Sequence, residues 1–310
     1  MIELNINASS LRNSSCLLHW FRTIGEGYCE PIFSDKIVYG IAVHKFLDVM
    51  YQSGDMALAK EEALKVFRQK KASDAKSEHM SDERHFMWTC FDVWNNYAAV
   101  DTEFQIALKP DGKPATEVTF SIPFHRDDTV NVNLCGTIDK IGKFQGGCFA
   151  IGDWKSTSTP LYRAQQYLDD YDMKSQLRFY LLSLKLMNRF FPDSQLGKIG
   201  ENRIGAFIDG IFIGQKPSDL KIKRSAVFQF PQYDLDSFEQ SLLKRIKQLS
   251  SALADGTIGL KEGIVMNTCE MRYSKCSFYT VCRSNNPQLE EMLLKRNFIK
   301  KTYDPLHRDL

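Results

Sequence analysis

The spacing of apolar residues divides the chain into a helical first third and a strand-rich middle. Over residues 37–68, Ile41, His44, Phe46, Leu47, Val49, Met50 and Leu58 mark a helical pattern, and Gly54-Asp55 offers a break between two helices. Residues 69–82 are polar and read as a loop. Phe86, Cys90, Val93, Trp94 and Tyr97 form an apolar stripe for a helix over 83–99. The period then drops to that of strands. Runs at 102–108, 116–124, 129–141 and 147–155 are separated by turn formers at 110–114, 126–128 and 145–147, which predicts a mainly antiparallel meander. A long helix is expected over 162–191, stopped by Pro192 and Asp193. Strands return at 203–213 and 221–230, followed by a helix over 234–253 that Gly256 can end. Residues 1–36 are mixed, 264–284 form a loop-rich cysteine segment, and 286–310 a charged tail. Helices, a sheet, a crossing helix and further strands describe an α/β or α+β domain with helices against a central sheet. No Pro/Gly/Ser-rich linker divides it, so residues 1–285 read as one domain, with its core at about 37–254 and its two ends meeting at the cysteines.

Composition narrows the partners. In 310 residues, 40 Lys and Arg face 38 Asp and Glu, a net charge of +2. A nucleic acid would have to be held by a local basic patch, since the whole-molecule field is too weak. Arg178, Lys221, Lys223, Arg224, Lys244, Arg245 and Lys247 are candidates for such a stripe. No base-reading module is visible, which argues against sequence specificity. With 43% hydrophobic and 25% charged residues the chain has the balance of a soluble globular protein. No apolar run approaches the roughly 18 residues needed to span a bilayer, and the first residues form neither a signal nor a transit peptide. A cytoplasmic protein is expected.

Eight cysteines are many for a reducing compartment. Cys269, Cys276 and Cys282 fall within fourteen residues, a grouping that points to a metal or iron–sulfur site. Cys29, Cys90, Cys135 and Cys148 read as small core residues, Cys29 being the alternative to Cys16 for any N-terminal ligand.

The strongest chemical signal is acidic. Asp139 and Asp153 lie on successive strands with thirteen residues between them, including a Gly-Gly turn, the spacing of a hairpin. Brought together, two such carboxylates repel each other unless a cation lies between them, and Mg²⁺ or Mn²⁺ suits oxygen ligands. Lys155, two positions beyond Asp153, shares its face of the strand. An ammonium there can orient a water or stabilise charge developing on a phosphate. Gln176 and Tyr180, at i and i+4, share one face of the following helix.

In order along the chain, Tyr39-Gly40-x-x-x-His44, Gly136-x-Ile138-Asp139, Gly152-Asp153-Trp154-Lys155 and Gln176-x-x-x-Tyr180 resemble the motifs of the RecB-like branch of the PD-(D/E)XK nucleases. The resemblance implies a restriction-endonuclease-like core with a central mixed sheet. It implies His44, Asp139 and Asp153 as metal ligands, with the backbone carbonyl of Trp154. It gives Lys155 the attacking water, and Gln176 and Tyr180 the task of holding Lys155, the water or a DNA phosphate. Glu117, on the preceding strand, takes the place of a glutamate common in similar proteins. Cys16 with Cys269, Cys276 and Cys282 resembles the plan of AddB-type and CRISPR adaptation nucleases, in which one N-terminal and three C-terminal cysteines bind a [4Fe-4S] cluster and staple the chain. The gaps in this chain are six and five residues, where the first is commonly two.

The resemblance implies a Mg²⁺- or Mn²⁺-dependent DNA exonuclease that leaves 5′-phosphate ends, favours single strands and serves recombination, repair or phage DNA metabolism. No phosphate-cradling helicase loop is present, so a helicase or a single-strand annealing protein would be a separate partner. By resemblance the length suits a phage or mobile element, which places the protein in a bacterial or phage-infected cell. Digestion polarity and oligomeric state stay open. Two other classes share these features: a non-catalytic DNA-binding partner that keeps the fold, and a structural zinc protein with surface carboxylates.

Overall fold

Gly54 and Asp55 divide the first helical stretch as the pattern predicts. In the computed structural model, which describes residues 1–30, 35–72, 83–190, 204–213, 220–259, 269–271, 274–284 and 286–301, helices cover Asp35–Ser53 and Met56–Ala72. Gly54 adopts φ +68°, and the Asp55 carboxylate caps the second helix by accepting from the amides of Ala57 and Leu58. The third helix is Glu83–Val100. Residues 73–82, the stop at Pro192 and Asp193, residues 264–268 of the cysteine segment and the end of the tail lie outside the described residues.

The chain forms two compact units. The larger comprises Phe33–Thr119 and Thr137–Pro231. Its sheet is mixed. Phe149–Thr157 pairs antiparallel with the end of Val130–Phe144 and parallel with Ile204–Phe212, which pairs antiparallel with Lys221–Arg224. Phe104–Ile106 lies antiparallel against Gly142–Phe144. The three helices bury Val43, Phe46, Leu47, Met50, Ala63, Phe67, Val93 and Tyr97 against Trp154, Ile211 and Ile222 of the sheet. Gly40 lets the first helix approach closely, since a Cβ there would lie 2.9 Å from Ser156 Oγ.

The smaller unit comprises Met1–Ile32, Phe120–Gly136 and Gln232–Asp309. Here Ile2–Ile6 runs parallel to residues Val130 to Leu134. The Asp127 carboxylate closes the turn before that strand by accepting from the amides of Thr129 and Val130. The segment expected as a charged tail carries a helix, Pro287–Asn297, started by an Asn286 cap.

Two expectations need correction. The helix over 162–191 is interrupted: Ala164–Asp169 and Ser175–Phe190 are separate, because turn-type bonds from Tyr171 to Leu168, Asp172 to Asp169 and Lys174 to Tyr171 replace the helical ladder. The strand over 221–230 ends at Arg224, beyond which Phe228 makes only an isolated bridge to Ala206.

Candidate active site

The antiparallel ladder between the two acidic strands ends at Lys140 opposite Gly152. One step further, the same register sets Asp139 opposite Asp153. The ladder is replaced there by a side-chain bond, in which the amide of Trp154 donates to Asp139 Oδ2 at 2.7 Å. Both carboxylates are almost fully buried.

His44 on the first helix reaches Asp139, with Nδ1 3.6 Å from Oδ1 and 3.8 Å from Glu117 Oε1. Glu117 is the one non-glycine residue at positive φ among the described residues, at 44°. That conformation costs about 1–3 kcal/mol. The neighbouring Thr116 is tied to the His44 helix by bonds to Asp48 (2.6 Å) and from Gln52 (2.7 Å), which anchors the strained position. Among the described residues, His44, Glu117 and Asp139 form the group whose potential ligand atoms all lie within 4.8 Å of one another. The two distances from His44 fall below about 4.2 Å, twice a typical 2.1 Å bond to Mg²⁺. One imidazole and two carboxylates at this spacing fit a hard divalent cation. Burial opposes protonation of His44, but attraction to Asp139 and a hydrogen bond donated to its carboxylate, with Glu117 adding, raise its pKa above the usual imidazole value.

Asp153 is held differently. Its Oδ2 is 2.5 Å from the Lys155 ammonium, and its Oδ1 accepts from Gln176 Nε2 at 2.8 Å. Gln176 also donates to the Tyr180 hydroxyl at 3.1 Å. Burial, with repulsion from Asp139, pushes the Asp153 carboxyl up to about 6 against the pull of Lys155 and His44. Burial would lower the Lys155 pKa, but Asp153 and Asp139 outweigh it and keep the amine charged. The side chains of His44, Glu117 and Lys155 remain 16, 20 and 22% exposed, so the centre is not sealed from solvent.

The structure thus brings His44, Glu117, Asp139, Asp153, Lys155, Gln176 and Tyr180 together. Glu117 stands in the trio nearest His44, while Asp153 is engaged by Lys155 and Gln176. The Trp154 side chain points to the other face of the sheet. There lies a charged cluster that sequence reasoning missed: Lys140, Asp209, Arg224, Asp101 and Tyr97. Its signal was a lysine and an aspartate inside apolar strands, at Ile138 to Ile141 and Ile208 to Ile211. Arg224 was expected to track phosphates, yet it binds Asp209 (2.8 Å) and Asp101 (2.6 Å) instead. Lys221, Lys223, Lys244 and Lys247 are exposed.

In the smaller unit, the hairpin Glu270–Met271 with Ser274–Lys275 absorbs the six-residue gap and sets Cys269 against Cys276, whose amide donates to the Cys269 carbonyl at 2.9 Å. Burial raises the Cys276 and Cys282 thiols, and both sense Cys16 and Cys269. Cys276 Sγ lies 3.4 Å from His19 Nδ1, and buried Arg22 reaches Cys282 Sγ at 3.6 Å and pairs with Glu290. Cys29 sits apart on the strand paired with Ile299. Cys90 and Cys135 are core residues as expected, whereas Cys29 and Cys148 are only half-buried.

Among the described residues no helix is long and apolar enough to cross a membrane. The family model of the PD-(D/E)XK nuclease superfamily matches residues 6–283. The search of curated proteins returned no match.

Proposed function

The chain belongs to the PD-(D/E)XK nuclease superfamily and is thus a metal-dependent nuclease, and from this premise we propose that it is a DNA exonuclease in which Lys155 directs water at the scissile phosphate. The observation that carries the reading is the Lys155 ammonium 2.5 Å from Asp153, beside the His44, Glu117 and Asp139 trio.

His44, Glu117 and Asp139 would hold a Mg²⁺ or Mn²⁺ ion, which when bound would supply positive charge at the phosphate and lower the pKa of water. Asp153 fixes the Lys155 amine and keeps it protonated. Lys155 therefore acts as a donor that orients the water and stabilises the charge growing on phosphate oxygen, not as a base. Gln176, bridging Asp153 and Tyr180, holds the Asp153 carboxylate in place. Water attacks phosphorus in line and gives its proton to solvent, the bond to the 3′-oxygen breaks, and that oxygen takes up a proton from solvent, leaving a 5′-phosphate and a 3′-hydroxyl. Single-stranded DNA is the favoured substrate, with a helicase or single-strand annealing protein as the partner in recombination or repair.

We further infer that Cys16, Cys269, Cys276 and Cys282 hold a [4Fe-4S] cluster whose role is to staple the chain. The hairpin that aligns Cys269 with Cys276 supports this. So does the nearness of the four, since the Cys276 and Cys282 thiols both feel Cys16 and Cys269.

The test uses end-labelled single- and double-stranded DNA and circular single strands, with and without Mn²⁺. The wild type should degrade linear DNA from its ends only with the metal, and Lys155→Ala should be slower by roughly 100-fold or more. No degradation, or a Lys155→Ala variant equal to wild type, overturns the nuclease mechanism. Equal cutting of circles overturns exonuclease action.

A further inference from the structure

Trp154 stands between Asp153 and Lys155 on one strand, so its side chain enters the opposite face of the sheet. There it meets a buried polar cluster. The indole Nε1 donates to the Tyr97 hydroxyl at 2.9 Å. The same hydroxyl accepts from Lys140 Nζ at 2.5 Å and donates to Asp209 Oδ2. Its one donor and two acceptor sites are therefore all used.

The cluster is neutral and closed. Lys140 Nζ lies 2.9 Å from Asp209 Oδ2 and 3.2 Å from Asp101 Oδ1. Arg224 grips Asp209 through Nε at 2.8 Å and Nη2 at 2.9 Å, and Asp101 through Nη2 at 2.6 Å. Lys140 and Asp209 are wholly buried. The β-ladder itself builds the row, because Trp154 pairs with Asp209 and Asp209 with Arg224 on adjacent strands. Gly152 completes it: a Cβ there would lie 2.6 Å from Lys140 Cε, so only glycine leaves room for the lysine stem. Every cation faces an anion, and the three bonds to the Tyr97 hydroxyl are short, buried and directional, which leaves the indole one position.

We propose that this cluster is a positioning device for the nuclease reaction: through the Tyr97 hydroxyl it locks the Trp154 indole, and thereby sets where Asp153 and Lys155 stand on the other face. The proposal rests on the assignment of Asp153 and Lys155 as working groups. Tyr97 and Trp154 are positioning residues: Tyr97 reaches the site only through the indole, and the indole itself packs edge-on against the His44 ring, centroids 5.6 Å apart. The structure carries the consequence in one peptide step on each side of Trp154. A shift of the indole moves the two neighbouring Cα atoms, and small displacements of a charged donor are costly to rate.

The experiment measures kcat and KM on single-stranded DNA with Mn²⁺, together with the melting temperature, for Tyr97→Phe, Trp154→Phe, the double variant and Ser225→Ala. Ser225→Ala removes a comparable buried bond, to the Ile208 amide at 2.9 Å, without touching Trp154. Tyr97→Phe and Trp154→Phe should each lower kcat by roughly 10- to 100-fold with KM within about twofold. The double variant should be no slower than the worse single one, as two ends of one bond require. Ser225→Ala should melt lower yet keep wild-type kcat. If Tyr97→Phe melts lower and keeps wild-type kcat, or if the two losses multiply, the proposal is overturned. Should Tyr97→Phe not fold, Trp154→Phe alone decides by the same split between kcat and KM. Lys155→Ala in the same assay separates the two claims. An inactive Lys155→Ala beside a fully active Tyr97→Phe removes the positioning role and leaves the nuclease, whereas an inactive wild type removes both.

Discussion

The Trp154 amide donates to Asp139 Oδ2 at 2.7 Å at the point where the ladder between their strands ends. A carboxylate there does two jobs: it finishes the sheet's hydrogen bonding and contributes charge to the trio with His44 and Glu117. These jobs separate under substitution. Asp139→Asn keeps an acceptor for the amide and removes repulsion with Asp153, so without metal it should melt at or above the wild type while losing nuclease activity. Asp139→Ala strands the buried amide and should be less stable than Asp139→Asn by roughly 1–3 kcal/mol. Thermal melts of the two variants, without metal, check the order.

Glu117 lies 3.8 Å from His44 Nδ1, and its backbone is held in a strained conformation. Glu117→Gln keeps size and loses charge. It should raise the Mn²⁺ concentration for half-maximal activity by about tenfold or more, with a rate at saturating metal closer to wild type. Metal titrations of the nuclease rate measure it. An unchanged requirement would remove Glu117 from the metal site.

Asp127 provides a pH signature outside the active centre. Burial alone would raise its carboxyl, but bonds from the Val130 amide, His125, Ser250 and the Thr129 amide hold it well below the usual carboxylate range. Its folded pKa is thus below its unfolded value, and its contribution is complete above about pH 4 and fades as pH falls toward the folded pKa. Asp127→Asn should therefore melt lower than wild type at pH 7, by roughly 1 kcal/mol, and the gap should narrow below pH 4. A gap that widens in acid contradicts the sign.

The cysteine group predicts colour. Protein purified without oxygen should be brown and carry about four irons per chain, and Cys276→Ala should lose the iron and melt lower. Iron analysis and a visible spectrum decide, and a colourless chain with one zinc would replace the cluster with a zinc site.

Local spacing carried most of the active strand. Asp153 and Lys155 share a face because strands have period two, Gln176 and Tyr180 because helices have period 3.6, and Gly54 marks a helix boundary because of its φ. Each rule involves residues a few positions apart. The break between Asp169 and Ser175 escaped the reading because apolar residues on both sides keep a helical period through it, and short turn bonds won locally.

Which partners meet across the fold was a different matter. Glu117 reaches His44 from another element, through its own strained backbone, and Lys140 looks like any strand charge until Asp209, Asp101 and Arg224 close around it. Those meetings depend on β-register and on helix packing over separations of 39 to 123 residues. No neighbour in the chain encodes them, because loop closure lets distant segments pair in many ways and only the burial of the whole core selects one. The amino-acid order thus names the reactive groups, and the packed sheet assigns which of them work together.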